Sequence, residues 1–360
     1  MSAVSDDRRP LRLRTLGILG RGGMGEVFHV VREEGDFRRS YALKRIHPDL
    51  LDDDFAVTSF LDEARLTGRL SHPNLVRVFE VGHDDEGPFM LMDLVEGRSL
   101  KQLLRLALAA GENIDMLVVI EWMRDVARGL AHAHAAKDLD GRPLGVLHRD
   151  ISPDNVLIGL DGVARLTDFG IAKALGRRTA TTRHLIKGKI PYMAPERLRF
   201  EEAGVPADLW SLGVVLYEGL AHRRLYRGEG SARRAMMEPP PDLREAVPEA
   251  PASLVELCFE LLAKEPDERP TSADEVARRL DAILAELSAE ESAATLSLAI
   301  DYIEARQRRG WFDPERSPET STSPANVVSP EESRERTIRQ EGVAEMLDIT
   351  VAKGVGDAQQ

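Results

Sequence analysis

The sequence predicts an α+β fold of two lobes, a small one rich in strand carrying one helix and a larger, mainly helical one. Three observations carry this. Before Leu91, short segments rich in apolar and β-branched residues alternate with glycines and charged turns, as strands do. After Gly97 the apolar residues recur at helical spacing. Leu209 to Leu220 is apolar nearly all round, which suits a helix buried at the centre of a lobe.

The elements follow in order. Met1 to Pro10 is polar and reads as a flexible N-terminus. Leu16 to Gly20, Glu26 to Val31 and Tyr41 to Ile46 are the strand candidates of a small lobe spanning about 11–92. Asp52 to Leu70 is its helix: three acids open it, as the helix dipole favours, and it stops before His72-Pro73. In the larger lobe, about 97–287, Trp122, Val126, Leu130 and His134 recur every fourth residue. Ser272-Ala273-Asp274-Glu275 has capping-box spacing and leads into a stripe of Val276, Leu280, Ile283, Leu284 and Leu287 that closes the lobe. Leu296, Ile300 and Ile303 line one more helix, expected within 288–312. From Asp313, Pro, Ser, Thr and Glu dominate, so 313–360 reads as a disordered tail.

With 360 residues, 42% hydrophobic and 30% charged, the chain can bury a core. A net charge of −13 argues against a nucleic-acid partner, since phosphate binding relies on clustered Lys and Arg. The single cysteine, Cys258, excludes an intramolecular disulfide and a cysteine-rich zinc site; between Leu257 and Phe259 it reads as a small apolar residue on a buried helix face. The N-terminus lacks the apolar core of a signal peptide. No apolar run reaches the roughly 18 residues of a membrane span. Glu121 and Glu218 interrupt the two nearest candidates. The expected location is the cytoplasm, with no membrane span.

Gly20-Arg21-Gly22-Gly23-Met24-Gly25-Glu26-Val27 has G-x-G-x-x-G-x-V spacing. Glycines there let a turn tighten and bring backbone N–H groups to phosphate oxygens that a side chain would obstruct. A dinucleotide fold uses similar spacing but continues into a helix. Here Glu26 to Val31 continues as strand, which favours a hairpin lid over ATP. Lys44 ends the apolar run Tyr41-Ala42-Leu43. Alone it reads as an end-of-strand surface charge; behind the glycine loop it is placed to hold the α- and β-phosphates, with Glu63 on the following helix as its acidic partner. The decisive stretch is His148-Arg149-Asp150-Ile151-Ser152-Pro153-Asp154-Asn155, followed by Asp168-Phe169-Gly170. Transfer of a γ-phosphoryl group to a hydroxyl needs a proton acceptor, metal ions on the phosphates and strict positioning. Asp150 fits the acceptor, and Asn155 and Asp168 offer hard oxygens suited to Mg²⁺.

With these residues in this order, the chain from roughly Leu11 to Leu287 resembles the bacterial Hanks-type, eukaryotic-like serine/threonine protein kinases. Ala194-Pro195-Glu196 looks like the family's activation-segment anchor, Asp208 to Gly213 like its central helix, and Arg269 like the arginine that pairs with Glu196. The resemblance implies a bilobal protein kinase fold acting on proteins with ATP and Mg²⁺. It also implies adenine contacts from Val27, Ala42 and Leu157, a gatekeeper at Met92 and a hinge at Asp93 to Val95.

Two positions depart from the family pattern. The serine/threonine members usually carry Lys two residues after the catalytic Asp, where this chain has Ser152. They usually carry Thr after the glycine that precedes the Ala-Pro-Glu anchor, where Gly188 is followed by Lys189. One reading is two unrelated drifts in a weakened enzyme. The other is an exchange, with Lys189 supplying the cation and Ser152 the hydroxyl. A tyrosine-kinase loop would carry Arg between Asp150 and Asn155, and none lies there. Arg149 before the catalytic Asp implies control by activation-segment phosphorylation. Thr179, Thr181 and Thr182, flanked by Arg177, Arg178 and Arg183, are the candidate acceptors, or simply polar loop residues. Phosphorylation between copies would involve a homodimer. Two other readings stay open: a weak or inactive kinase fold serving as a nucleotide-gated binding module, and a small-molecule phosphotransferase. The long segment from Asp168 to the Ala-Pro-Glu anchor disfavours the second.

Overall fold

The computed structural model describes residues 13–22, 24–34, 37–170, 189–226, 228 and 230–290, all within a unit bounded by Met1 and Asp313; the side chains of 289 and 290 fall outside the description. Gly23, the three candidate threonines with their flanking arginines, the N-terminus 1–10, most of the helix expected in 288–312 and the tail 313–360 lie outside the described residues.

The small lobe is an antiparallel sheet, ordered β1-β2-β3-β5-β4 among the described residues. Its strands are β1 (Leu13–Arg21), β2 (Gly25–Glu34), β3 (Phe37–Ile46), β4 (Val78–Asp84) and β5 (Gly87–Asp93), with helix α1 (Asp54–Thr67) between β3 and β4. β1 to β3 run longer than their apolar centres predict. The surplus is charged and pairs across strands, as in Arg14 to Glu33 at 3.4 Å. Side chains alternate along a strand. Tyr41 and Leu43 therefore join Val30, Phe89 and Leu91 in one core, while Ala42 and Ile46 join Phe60, Ala64, Met90 and Met92 in another that takes in α1. The same alternation sends Lys44 toward α1. Asp53 caps α1 by accepting from the amides of Phe55 (3.0 Å) and Ala56 (3.2 Å), so the helix is shorter than the predicted Asp52 to Leu70. Its buried face, Ala56, Ser59, Phe60, Glu63, Ala64 and Thr67, has i, i+3, i+4, i+7, i+8, i+11 spacing and carries one acid inward.

The large lobe comprises β6 (Gly97–Ser99), α2 (Leu100–Ala110), α3 (Met116–His134), β7 (Val156–Gly159), β8 (Ala164–Leu166), α4 (Pro195–Leu198), α5 (Val205–Ala221), α6 (Ser231–Met237), α7 (Ala252–Leu261) and α8 (Ala273–Glu290). The apolar run at 209–220 is indeed central: α5 is buried from Ala207 to Leu220. α8 starts at Ser272, whose hydroxyl accepts from the Glu275 amide at 3.2 Å. The Glu275 carboxylate reaches one residue further out than a capping box requires, to the Thr271 amide at 2.9 Å. The β6-β7-β8 sheet is unpredicted, because strands of three or four residues are too short to show a period.

Arg269 holds the base of this lobe. Its guanidinium meets Glu196 in a two-pronged contact at 2.8 and 2.9 Å, and also donates to the carbonyls of Ala263 and Pro206, each at 2.9 Å. Neither side chain is more than 3% exposed. Removing one member of a buried pair strands the other charge and costs about 3–5 kcal/mol. Arg269→Ala should therefore lower the melting temperature, by on the order of 10 °C. A loss within 2 °C, read by calorimetry, would show that the pair does not hold the lobe.

Candidate active site

The site forms where the small-lobe sheet, α1 and the β7–β8 hairpin of the large lobe converge. Lys44, on the α1-facing side of β3, donates to Glu63 Oε1 at 2.7 Å and to Asp168 Oδ1 at 2.7 Å. Burial by itself would loosen the Lys44 proton; the charges of Asp168 and Glu63 outweigh it and raise the lysine above its ordinary value. For Glu63 burial wins and pushes the carboxyl up, against the pull of Lys44. Burial also acts to raise Asp168, but Lys44 prevails and holds it below the usual carboxylate range. The cluster therefore carries a fixed ammonium shared between one acid from each lobe.

The glycine loop sits above it. A Cβ on Gly25 would fall 1.9 Å from the Arg45 carbonyl oxygen, so β2 and β3 can pair there only with glycine. A Cβ on Gly20 would meet nothing within 4 Å, and one on Gly22 only the Gly25 carbonyl oxygen at 3.7 Å. Packing does not demand glycine at those two positions. The backbone there is left uncrowded on the side a Cβ would occupy. Beneath the loop Val27, Leu94, Val95 and Leu157 pack on a cluster containing Ala42 and Met92, so both lobes contribute to one apolar slot at the hinge. The Asp93 amide is committed to the Arg77 carbonyl at 2.9 Å.

The catalytic-loop candidates are held from below. Asp208, near the start of α5, accepts from the amides of His148 and Arg149, both at 2.7 Å, and contacts His134 Nε2 at 3.0 Å. These contacts outweigh the effect of its burial and keep Asp208 below the ordinary carboxylate range. The loop needs such a clamp because Arg149 (φ 62°) takes left-handed backbone, which side chains disfavour. Arg197 donates to the Arg149 carbonyl at 2.6 Å. Burial lowers the His148 imidazole, and its ring packs on Phe169 with centroids 4.5 Å apart. Neither Asp208 nor His134 was singled out from the sequence as a loop clamp. The available signal was a carboxylate in the first turn of a largely apolar helix.

Asp150 Oδ2 accepts from Lys189 Nζ in a close ion pair, and from Asn155 Nδ2 at 3.1 Å. Asn155 Nδ2 also donates to the Asp150 carbonyl at 2.8 Å, which leaves its amide oxygen as the atom suited to a metal. The Thr167 amide, donating to the Asn155 carbonyl at 3.1 Å, ties Asn155 to the segment that leads from β8 to Asp168. Ser152 is not brought to this contact. Its hydroxyl is buried and has no hydrogen-bond partner among the described residues. Of the two residues in the exchange expected from the sequence, Lys189 contacts Asp150, and the Ser152 hydroxyl makes no hydrogen bond to it.

A protein kinase domain matches residues 13–280, and the chain belongs to this family. It is 35% identical over 313 residues to the Tyrosine-protein kinase MasK of Myxococcus xanthus, covering 85% of this chain and 47% of that protein. It is 32% identical over 272 residues to the Probable serine/threonine-protein kinase PknB of Lactococcus lactis, covering 74% of this chain and 41% of that one. The chain therefore spans less than half the length of these curated relatives. Among solved structures, the Mycobacterium tuberculosis PknI kinase domain aligns with a TM-score of 0.57 at 26% identity, covering 76% of this chain and 96% of the other. No described helix is long and apolar enough to cross a membrane.

Proposed function

We propose that this chain is an ATP-dependent protein kinase that phosphorylates serine and threonine hydroxyls. The observation that carries the reading is Lys44 bound at once to Glu63 and Asp168 beneath a glycine loop that is open at Gly20 and uncrowded at Gly22. Gly20 to Gly25 would cover the phosphates with backbone amides, with Arg21 and Met24 as loop side chains. Val27, Ala42, Met92 and Leu157 suit a purine, and the backbone of Asp93 to Val95 its polar edge. Asn155 and Asp168 would hold Mg²⁺, which would supply positive charge to offset that of the phosphates. Lys44, kept protonated and fixed by Glu63, orients the α- and β-phosphates. Asp150 accepts the hydroxyl proton, and Lys189 offers a cation where charge gathers on the transferred group. Thr179, Thr181 and Thr182 remain the proposed autophosphorylation sites, reached in a homodimer of copies. ATP supply and the lone buried thiol of Cys258 are in keeping with the cytoplasm.

A second reading, tyrosine as acceptor, is favoured by the 35% identity to a relative named as a tyrosine kinase. Incubation with labelled ATP, Mg²⁺ and a mixed basic protein, followed by phosphoamino-acid analysis and site mapping, separates the two. Phosphoserine and phosphothreonine should predominate, with label on the 179–182 threonines. Predominant phosphotyrosine would replace the acceptor assignment, and absence of label in folded protein would favour the binding-module reading.

A further inference from the structure

A second concave surface lies in the large lobe, away from the phosphate machinery. It is a groove of about 600 Å³ between α7 and the loop that precedes it. Ala252, Val255 and Phe259 line its α7 wall at i, i+3, i+7 spacing, and Pro240 and Leu243 line the other. Phe259 is 59% exposed, so a large apolar ring stands at the wall without cover. Asp242, Glu256 and Glu260 border the apolar strip together with Arg244, and Glu260 also meets Arg279, so the border is acidic on balance. A helix whose apolar stripe is as long as this wall, and whose end is basic, would fit it.

The sequence supplies such a segment immediately beyond α8. α7 and α8 are antiparallel: Ser253, at the start of α7, donates to Glu286 near the end of α8 at 2.8 Å, and Arg279 meets Glu260 at the other end at 3.0 Å. The chain thus leaves α8 at Glu290 about one turn past a residue that touches the groove's own helix. Five residues, 291–295, reach at most about 17 Å. Leu296, Ile300 and Ile303 then follow at helical spacing and span about 10 Å as a helix, the same length as Ala252 to Phe259. Arg306, Arg308 and Arg309 come next. Run parallel to α7, such a helix would lay its apolar stripe on the wall and carry those cations to the acidic border.

We propose that residues 291–309 dock as an amphipathic helix in the α7 groove of the same chain. Leu296 lies toward Ala252, Ile300 toward Val255 and Ile303 toward Phe259. The occupant is intramolecular because the tether is short, which gives the segment a high effective concentration at the groove.

Disulfide trapping in the full chain tests this. Phe259→Cys is combined with Ile303→Cys, and, as a control on the opposite side of the same helix, with Ala305→Cys. The native Cys258 is buried and its thiol is pushed up to about 12, so it does not compete. Under mild oxidation the 259–303 pair should close within one chain at least fivefold faster than the 259–305 pair. A Val255→Cys with Ile300→Cys pair should behave like the first, so that one poorly folded variant does not decide the matter. Equal rates for 303 and 305, or no closure in either stripe pair, would overturn the docked helix. Disulfides formed between chains rather than within them would overturn it too, and would assign the groove to a second copy.

Discussion

Asp150→Asn should lower kcat by on the order of 10²–10⁴ without unfolding the protein, and Lys44→Met should lower it at least as far. The Asp150 carboxylate accepts from Lys189 and Asn155, and the Lys189 side chain is 29% exposed, so a variant at Asp150 leaves that cation within reach of water. Asparagine keeps the shape and removes the proton acceptor. Lys44 differs in its partner. It pairs with Glu63, whose side chain is only 6% exposed, so methionine leaves Glu63 buried without its cation. Part of the effect will then be structural, because a stranded buried charge costs stability until it takes up a proton. The two variants should separate in a thermal melt: Asp150→Asn near wild type, Lys44→Met visibly lower. Turnover within tenfold of wild type in folded Asp150→Asn protein would remove Asp150 from the acceptor role.

That contrast bears on what the sequence could reveal. The positions of Lys44 and Glu63 were legible from an apolar strand and a helix of regular period, and those of Asp150, Asn155 and Asp168 from short motifs in the loops on either side of β7 and β8. Glu63 falls on the buried stripe of α1 by spacing alone. The burial of Lys44 was not legible, since it depends on α1 and Asp168 closing over β3 from separate parts of the chain. The clamp from Asp208 to the His148 and Arg149 amides was hidden for the same reason: 60 residues separate donor and acceptor, and local pattern carries no trace of the pairing. The turn at Lys137 and Pro143 and the β6-β7-β8 sheet were missed because they are too short to show a period. Ser152 marks the limit most sharply. Its identity signalled a departure from the family pattern, but which way the hydroxyl points is decided by packing.

Lys189 decides whether that departure is compensated. Its ammonium is paired with Asp150, and the residue that normally supplies a cation two places after the catalytic aspartate is a buried serine. If Lys189 stabilises charge on the transferred phosphoryl group, Lys189→Ala should lower kcat by on the order of 10²–10³, roughly 2.7–4 kcal/mol. The KM for ATP should change little, since an interaction that strengthens mainly in the transition state appears in kcat. Lys189→Thr should fail as well, because it offers a hydroxyl and no cation. Adding Ser152→Lys to Lys189→Thr rebuilds the usual arrangement. The long lysine stem can lie along apolar surface while its head reaches the cleft, so activity should return to within about tenfold of wild type. With Ser152→Lys alone as the remaining corner, Lys189→Thr and the double change form a cycle, and recovery in the double variant distinguishes a shared charge role from two independent defects. A Lys189→Ala enzyme within threefold of wild type would correspond to only about 0.65 kcal/mol. Lys189 would then be an ion-pair partner that holds Asp150 in place, and this kinase would work without a cation at either position.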